Sequence, residues 1–271
     1  MNDLPVPLAA SRFPVTVVKL GGSLLEDEGL RTSALRALAA RATAGERLVV
    51  VHGGGKRIDG FLVKLGMPRK VHRGLRVTDG ATLDVVVAVL AGLVNKSLVA
   101  ELRALGVRAA GISGVDGETL WAEYHLSPDG VDLGYVGSVT ASDTTLVNAI
   151  LDAGLLPVVA SIAMGREGTL LNVNADSAAS ALAGALAAER LVFLTDVEGL
   201  LDGEGHLVES LLSKEAKGLL AGTAVSGGMR PKLEACLSAI AHGVKSVVIA
   251  GPSRHTSVFL DGKGGTCLVA A

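Results

Sequence analysis

Short, valine-rich apolar runs alternate along the chain with longer amphipathic stretches, and this alternation restricts the fold more than any other feature. The runs VTVVKL (Val15–Leu20), RLVVVH (Arg47–His52) and LLPVVAS (Leu155–Ser161) are apolar at nearly every position. Strands of this kind are buried on both faces and belong to parallel sheets that helices cover on both sides. The pattern predicts βαβ units, arranged as an open αβα sandwich with a central, mostly parallel sheet shared by two lobes.

Composition excludes several classes of function. Hydrophobic residues make up 49% of the chain and charged residues 19%, with a formal charge of −2 and only 3% aromatics. Nucleic-acid binding is not expected, because there is no basic stripe and there are few aromatic rings on which bases could stack. No uninterrupted apolar run reaches the roughly 18 residues of a membrane span. The first residues do not resemble a signal peptide, and Cys236 and Cys267 have no metal-binding spacing. Together these features predict a cytoplasmic protein with two reduced cysteines.

Glycine clusters follow two of the predicted strands, where ligands bind in open α/β sheets. Gly21–Gly22 follows the first strand and Gly53–Gly55 follows the second, and a lysine flanks each cluster. A glycine turn that opens a helix offers N–H groups and the positive end of the helix dipole to an anion. The pair of clusters therefore favours phosphate binding. The sequences GxxxxGK[ST] and GxGxxG are absent, so a scaffold other than a P-loop or Rossmann turn would bind the phosphate.

Seven motifs occur in order: VVKLGGS, VHGGGK, GLRVTD, AGLVNK, LNVNADSAA, LTDVEGLL and VSGGMRPK. In order and approximate spacing they resemble the acetylglutamate kinases of the amino-acid kinase family, from Val15 to Thr266. GLRVTD and NVNAD favour these enzymes over the aspartate, glutamate-5, carbamate and uridylate kinases. The resemblance implies the carbamate kinase-like fold of that family. It also implies transfer of the γ-phosphoryl group of ATP to the side-chain carboxylate of N-acetyl-L-glutamate, with Mg²⁺ held mainly by the phosphates.

The resemblance implies catalytic roles for three charged residues. Lys19 would stabilise the transferring phosphoryl group, and Lys232 would contact the phosphates of ATP from the leaving-group side. Asp176 would hold the two ammonium groups in place, since without an anion they would repel each other. Taken alone, Lys19 is a lysine at the end of an apolar strand, and the position of Asp176 at a helix start predicts an N-cap.

The remaining implied site residues bind the acceptor or the nucleotide. Arg76, in the loop KVHRGLRVTD, would pair with the α-carboxylate of the acceptor, since arginine binds carboxylates through two parallel hydrogen bonds. The alternative is a solvated surface arginine. Asn172 would assist Arg76, and Gly54 and Gly55 would donate N–H groups to the acceptor. The nucleotide would contact Gly21, Gly22, Asp196, Val197, Glu198, Gly199, Leu200, Leu201, Ala224, Val225 and Ser226.

A boundary near residue 165 divides the predicted domain into two lobes. Residues 15–165 would bind the acceptor and form the dimer contact, and residues 166–271 would bind the nucleotide. Residues 1–14 form a leader that contains Pro5, Pro7 and Pro14. Each proline inside a helix costs about 3 kcal/mol, so the leader does not predict the N-terminal helix of the hexameric, arginine-inhibited enzymes that the family contains. A homodimer that arginine does not inhibit is expected.

Two alternative functions remain open at the sequence level. The basic loop with Arg69, Lys70, His72 and Arg73 would suit an aminoadipate or glutamate attached to an acidic carrier protein. A non-catalytic sensor of an amino acid or nucleotide could use the same fold, although it would not need two lysines and an aspartate. Smaller questions concern Arg230, which stands where the family more often has an apolar residue, and the excursion Thr119–Ser138, which is either a packed hairpin or a lid over the substrate.

Overall fold

The computed structural model describes residues 14–221, 229–251 and 264–270. Fourteen strands lie within these residues. In chain order they are β1 (Val15–Leu20), β2 (Arg47–His52), β3 (Val71–His72), β4 (Leu75–Arg76), β5 (Ala109–Ser113), β6 (Trp121–Tyr124), β7 (Val136–Ala141), β8 (Leu156–Ala160), β9 (Ile162–Met164), β10 (Leu170–Val173), β11 (Arg190–Leu194), β12 (Ser210–Leu212), β13 (Ser246–Ala250) and β14 (Thr266–Val269).

Nine α-helices lie in the same parts of the chain. They are α1 (Gly22–Glu26), α2 (Glu28–Thr43), α3 (Gly55–Lys64), α4 (Gly80–Val87), α5 (Asn95–Ala104), α6 (Thr145–Asp152), α7 (Ala175–Ala185), α8 (Ser213–Ala221) and α9 (Met229–Ala241). A seven-residue π-helical segment, Ala88–Val94, joins α4 to α5.

Eight strands form one central sheet in the order β12-β14-β13-β11-β1-β2-β8-β5. All neighbours are parallel except β13 and β14, which pair in antiparallel register. Successive residues of one strand face opposite layers, since Val17 lies in one apolar core and Val18 in the other. Helices α7 and α9 cover the first face, and α2 and α5 cover the second. The predicted αβα sandwich with a mostly parallel sheet is confirmed.

The excursion after β5 is a small packed structure. Strands β6 and β7 pair in antiparallel register, and with β9 and β10 they close a four-stranded barrel. Trp121 is partly buried, and the Tyr124 ring lies 6.2 Å from the ring of Tyr135. The packed-hairpin alternative therefore describes this segment. The barrel positions the site because β10 ends immediately before the start of α7.

The long helical segment Gly80–Ala104 is long and apolar enough to span a membrane by length and composition alone. Core helices of globular domains meet the same two criteria. Val86 and Leu90 of this segment pack in a core beside α3, and Leu98 and Leu102 pack in the core beneath the sheet. The segment is therefore a core helix of this domain, with an outer face on which Leu93 is exposed.

Candidate active site

The two glycine turns lie side by side at the carboxyl edge of the sheet. Strands β1 and β2 are parallel neighbours, so Gly21–Gly22 and Gly53–Gly55 follow them at the same edge. Gly21 N–H donates to the Leu194 carbonyl at 2.8 Å. A Cβ atom on Gly21 would lie 2.8 Å from that backbone oxygen, so only glycine fits there without moving the sheet. On Gly22, a Cβ would lie 3.8 Å from the Gly55 nitrogen, which places the two turns in contact.

A cluster of two lysines and one aspartate lies beside these turns. The Lys19 ammonium is 2.6 Å from Asp176 Oδ1, and the Lys232 ammonium is 3.9 Å from Asp176 Oδ2. The Lys19 contact is a close ion pair, although Oδ1 has no well-aligned hydrogen bond to the described residues. Lys19 and Asp176 are each only 7% exposed. The fold thus brings together three predicted catalytic residues that are far apart in the sequence, and the carboxylate lies between the two cations.

Asp176 does not cap α7, so the N-cap prediction is wrong. The cap is Asn174, whose side-chain oxygen accepts hydrogen bonds from the N–H groups of Asp176 and Ser177 at 2.8 and 3.1 Å. Either residue type can cap a helix. Because Asn174 satisfies the free N–H groups, the Asp176 carboxylate is available to the lysines. The α7 dipole, whose positive end lies at this terminus, also favours an anion there.

Arg76 turns inward from the strap that β3 and β4 form. Its Nη2 donates to the Gly55 carbonyl at 3.0 Å, and its Nη1 lies 2.5 Å from Asp59 Oδ1 on α3. That second contact is electrostatic rather than an aligned hydrogen bond. Only 11% of the Arg76 side chain is exposed, so the alternative of a solvated surface arginine is wrong. The guanidinium has five N–H donors, and those not used by Gly55 and Asp59 remain for a carboxylate.

Asn172 connects the barrel to the same loop. Its side-chain nitrogen donates to the Thr78 hydroxyl at 3.1 Å, and that hydroxyl donates to the Arg76 carbonyl at 2.8 Å. Thr78 is fully buried, so this chain of hydrogen bonds is shielded from water. A cavity of about 410 Å³ opens between these elements, a size suited to a small ligand. Seven predicted site residues line it: Lys19, Gly22, Gly54, Gly55, Arg76, Asn172 and Asp176.

The stretch Asp196–Leu201 follows β11 and lies outside the lining of that cavity. The pKa of Asp196 is lowered, first by a hydrogen bond from the Ser23 side chain, with smaller contributions from Thr195 and the charge of Lys232. Asp196 therefore connects this stretch to the first glycine turn. Val197 and Leu201 expose apolar side chains, whereas Leu200 is buried and could contact a ligand only through its backbone. Ala224, Val225 and Ser226 lie outside the described residues.

Several residues of the site were not predicted from the sequence. Ser23, Asp59 and Thr78 hold Asp196, Arg76 and Asn172 respectively. His52 and Asn95 form a buried pair beneath the second glycine turn. His52 lies in the motif VHGGGK and Asn95 in AGLVNK, and Ser23 and Thr78 also lie in recognised motifs. The motifs therefore marked these positions but did not indicate what each side chain does. Asp59 stands in no recognised motif.

The sequence matches a family model described as the amino acid kinase family over residues 14–251. The chain belongs to that family. It is 41% identical to an acetylglutamate kinase of Rhizobium rhizogenes, with 99% of this chain and 98% of the relative covered. It is 42% identical to an acetylglutamate kinase of Agrobacterium fabrum, with 90% and 86% covered. The resemblance inferred from the seven motifs is therefore confirmed.

Solved structures of other proteins have the same fold as this chain. The protein smu.665 of Streptococcus mutans has a TM-score of 0.81 at 31% identity, covering 95% of this chain and 99% of that one. An N-acetylglutamate synthase of Neisseria gonorrhoeae in complex with coenzyme A and N-acetylglutamate has a TM-score of 0.82 at 28% identity, with 94% and 59% covered. A carbamate kinase of Giardia lamblia has a TM-score of 0.72 at 16% identity, with 96% and 99% covered, which shows the shared fold alone.

Proposed function

We propose that this chain is an acetylglutamate kinase, which transfers the γ-phosphoryl group of ATP to the side-chain carboxylate of N-acetyl-L-glutamate. The products are N-acetyl-glutamyl 5-phosphate and ADP, the second step of arginine biosynthesis. One observation carries the proposal. The same cavity is lined by Arg76, a partner for a carboxylate, and by Lys19 and Asp176. Lys232 lies outside that lining and completes the cluster of charges that suits phosphates through its contact with Asp176.

The reaction is an in-line transfer that needs positioning and charge stabilisation more than covalent chemistry. A carboxylate oxygen of the acceptor attacks the γ-phosphorus, and the bond from that phosphorus to the bridging oxygen breaks. We assign Lys19 to the transferring group and Lys232 to the departing β-phosphate. Asp176 holds both ammonium groups, and the N–H groups of Gly21 and Gly22 face the γ-phosphate. No proton has to move, because the attacking carboxylate and the departing phosphate are both anions.

On the acceptor side, Arg76 and Asn172 would bind the α-carboxylate, with N–H groups of Gly54 and Gly55 donating to the acceptor. The nucleotide would lie along Asp196–Leu201 and Ala224–Ser226. We propose that Mg²⁺ accompanies ATP and is held mainly by the phosphates, since the described residues contain no group of three acidic, histidine or cysteine side chains that could hold a metal. We also propose that residues 15–165 form the acceptor lobe and that residues 166–271 form the nucleotide lobe.

The two alternative functions are not favoured. Of the four basic residues suggested for an acidic carrier protein, Arg69 pairs with Asp59, and His72 and Arg73 both contact Asp129. These pairings leave little free positive charge on the strap. A sensor would not need the buried Lys19–Asp176 pair. Arg230 pairs with Glu234 one turn along α9 and is half exposed, which is an ordinary surface contact.

We further propose a cytoplasmic homodimer that arginine does not inhibit, built on an isologous contact between acceptor lobes. The thiols of Cys236 and Cys267 are not paired with each other, and burial raises the pKa of both, which suits a reducing compartment. Light scattering and the kinase assay, each with and without millimolar arginine, test this proposal, and a hexamer or clear inhibition would refute it.

The activity is tested by ³¹P NMR of the purified protein with MgATP and N-acetyl-L-glutamate. The proposal predicts an acyl phosphate signal that grows together with ADP and disappears on adding hydroxylamine, which traps acyl phosphates. A matched reaction with Lys19→Ala should give neither signal. The proposed function would be contradicted if ADP formed without dependence on the acceptor. It would also be contradicted if protein that binds ATP gave no acyl phosphate signal.

A further inference from the structure

A buried polar pair lies directly beneath the second glycine turn. His52, the last residue of β2, and Asn95, the first residue of α5, are both fully buried. The Asn95 side-chain nitrogen lies 3.1 Å from His52 Nε2 and also donates to the carbonyls of Val158 and Ile112 at 2.9 and 3.1 Å. Its side-chain oxygen accepts from the Lys96 ammonium at 3.0 Å. The amide orientation of Asn95 is therefore determined, because two carbonyls face its nitrogen and an ammonium faces its oxygen. The two hydrogens on that nitrogen are shared among the acceptors that face it.

The partners of His52 determine its tautomer. Its Nδ1 lies 2.9 Å from the Gly53 carbonyl, which can only accept, so Nδ1 carries the proton. Nε2 is then the acceptor for Asn95. Burial lowers the pKa of His52 to about 4, with the bond to Gly53 opposing that shift and the charge of Lys96 adding to it. The imidazole is therefore neutral near pH 7, and the network holds one arrangement of donors and acceptors.

This hydrogen bond orients a peptide group that lines the cavity. The Gly53 carbonyl and the Gly54 N–H belong to the same planar, trans peptide unit, and they point in opposite directions. His52 holds the carbonyl toward the buried side, so the Gly54 N–H is directed away from it. Gly53, Gly54 and Gly55 all line the 410 Å³ cavity. A side chain two residues before Gly54 therefore determines which way that N–H points.

The π-helical segment Ala88–Val94 holds the other side of the same turn. A Cβ atom on Gly54 would lie 2.8 Å from a methyl carbon of Leu90 and 3.3 Å from one of Val94. Asn95 follows this segment directly as the first residue of α5, so consecutive turns of one continuous helical segment supply the apolar contacts to Gly54 and the donor to His52. π-Helical turns that interrupt α-helices are frequently found at functional sites. Because His52 contacts one side of the Gly53–Gly54 peptide and the π-helical segment contacts the other, this peptide has little freedom to rotate.

We infer that His52 and Asn95 are positioning residues for the acceptor, which fix the Gly53–Gly54 peptide so that the Gly54 N–H donates to bound acceptor. This inference rests on the proposed function, because it concerns the acceptor side of that cavity. Neither side chain touches the acceptor itself. The expected effect of losing the network is a higher KM for the acceptor, since a contact made equally in the ground state and the transition state has that signature.

Two substitutions of His52 separate its two hydrogen bonds. In His52→Asn the amide nitrogen can occupy the position of Nδ1 and still donate to the Gly53 carbonyl. In His52→Gln the terminal amide lies near the position of Nε2, so the contact with Asn95 can persist while the donor to Gly53 is lost. His242→Asn is the matched control, because His242 is exposed in the turn that follows α9 and lies outside the cavity. Circular dichroism and urea unfolding identify variants that fail to fold.

The two His52 variants are expected to differ in their KM for the acceptor. His52→Gln should raise the KM for the acceptor about tenfold or more with the KM for ATP changed less than twofold. His52→Asn should stay within about threefold of wild type for both, and His242→Asn should match wild type. Equal acceptor KM values for His52→Gln and wild type would overturn the inference. So would equal losses in His52→Gln and His52→Asn, since those would show a structural role only.

An NMR measurement without substrate separates this inference from the proposed function. Long-range ¹⁵N–¹H spectra should show His52 neutral with the proton on Nδ1, and the Gly54 amide signal should shift in His52→Gln but not in His52→Asn. If His52 carries its proton on Nε2, or the Gly54 signal is the same in both variants, the inference is wrong. If wild type phosphorylates no acceptor while these signals behave as expected, the proposed function fails and the control of the peptide by His52 stands.

Discussion

Replacing Asp176 with Asn removes one charge from the lysine cluster and keeps the shape of the side chain. In the wild type the Lys19 ammonium, 7% exposed, lies 2.6 Å from the Asp176 carboxylate. The substitution leaves that ammonium buried without its anion, and breaking a buried pair in this way costs about 3–5 kcal/mol. The cap of α7 is unaffected because Asn174 provides it. The free energy of unfolding should therefore fall by about that amount, which urea denaturation measures.

The same variant should lose turnover, because the two lysines would no longer be held where charge develops. Loss of such an electrostatic contact costs about 10²–10³ in kcat. Asp79→Asn is the matched control, since Asp79 caps α4 at an exposed position where it accepts from Thr82 N–H and faces no buried lysine. It should unfold near the wild-type urea midpoint and keep wild-type turnover.

A double variant, Lys19→Met with Asp176→Leu, distinguishes the role of the pair in stability from its role in catalysis. Replacing a buried ion pair by apolar side chains is often neutral or stabilising, so this variant should recover most of the stability that Asp176→Asn loses. Its turnover should remain as low as that of the single variant. The reasoning is refuted if Asp176→Asn unfolds with the wild-type midpoint, or if it keeps more than about a tenth of wild-type turnover.

Three further predictions follow from the site. Lys19→Ala and Lys232→Ala should each lower kcat by about 10²–10³ in an ADP-release assay, and more than about a tenth of wild-type turnover would remove the residue from catalysis. Arg76→Ala should raise the KM for the acceptor with little change in the KM for ATP, and an unchanged acceptor KM would exclude Arg76 from acceptor binding. The pKa of His52 is about 4 in the folded protein and 6.5 in the unfolded chain, so the unfolded chain binds the proton first as the pH falls. The contribution of His52 to stability is then complete above about pH 6.5 and decreases toward pH 4, by about 3 kcal/mol in total. Urea unfolding at pH 7 and pH 4.5 should show this loss in wild type and a smaller loss in His52→Asn, and equal losses would contradict it.

The sequence predicts best those elements that are buried on both faces. The bounds of β1 and β2 agree with the predicted runs, because each contains three valines and lacks the periodic polar residues of an amphipathic helix. The π-helical segment Ala88–Val94 was not predicted, since it has the composition of an ordinary α-helix. The family motifs placed Lys19, Asp176 and Arg76 in one site, and the structure gives the distances between them.

Local sequence rules failed at residues whose side-chain partner is remote in sequence. Asp176 and Asn174 are equally good caps by local rules, and the choice depends on two lysines about 157 and 56 positions away. Arg76 turns inward because Asp59 on α3 and the Gly55 carbonyl hold it. The pairing of His52 with Asn95 joins β2 to α5 across 43 positions. Local propensity and spacing contain no information about such pairs until the sheet order is known.

The central claim is that the protein phosphorylates the carboxylate of N-acetyl-L-glutamate in this cavity. A comparison of different acceptors tests that claim most directly. ADP release is measured with MgATP and N-acetyl-L-glutamate, glutamate, aspartate or carbamate as separate acceptors, each with wild type and Lys19→Ala. The account predicts a kcat/KM for N-acetyl-L-glutamate at least a hundredfold above that for any other acceptor, and loss of that activity in the variant. Equal or higher kcat/KM with another acceptor, or acceptor-independent ADP release that Lys19→Ala retains, would contradict it.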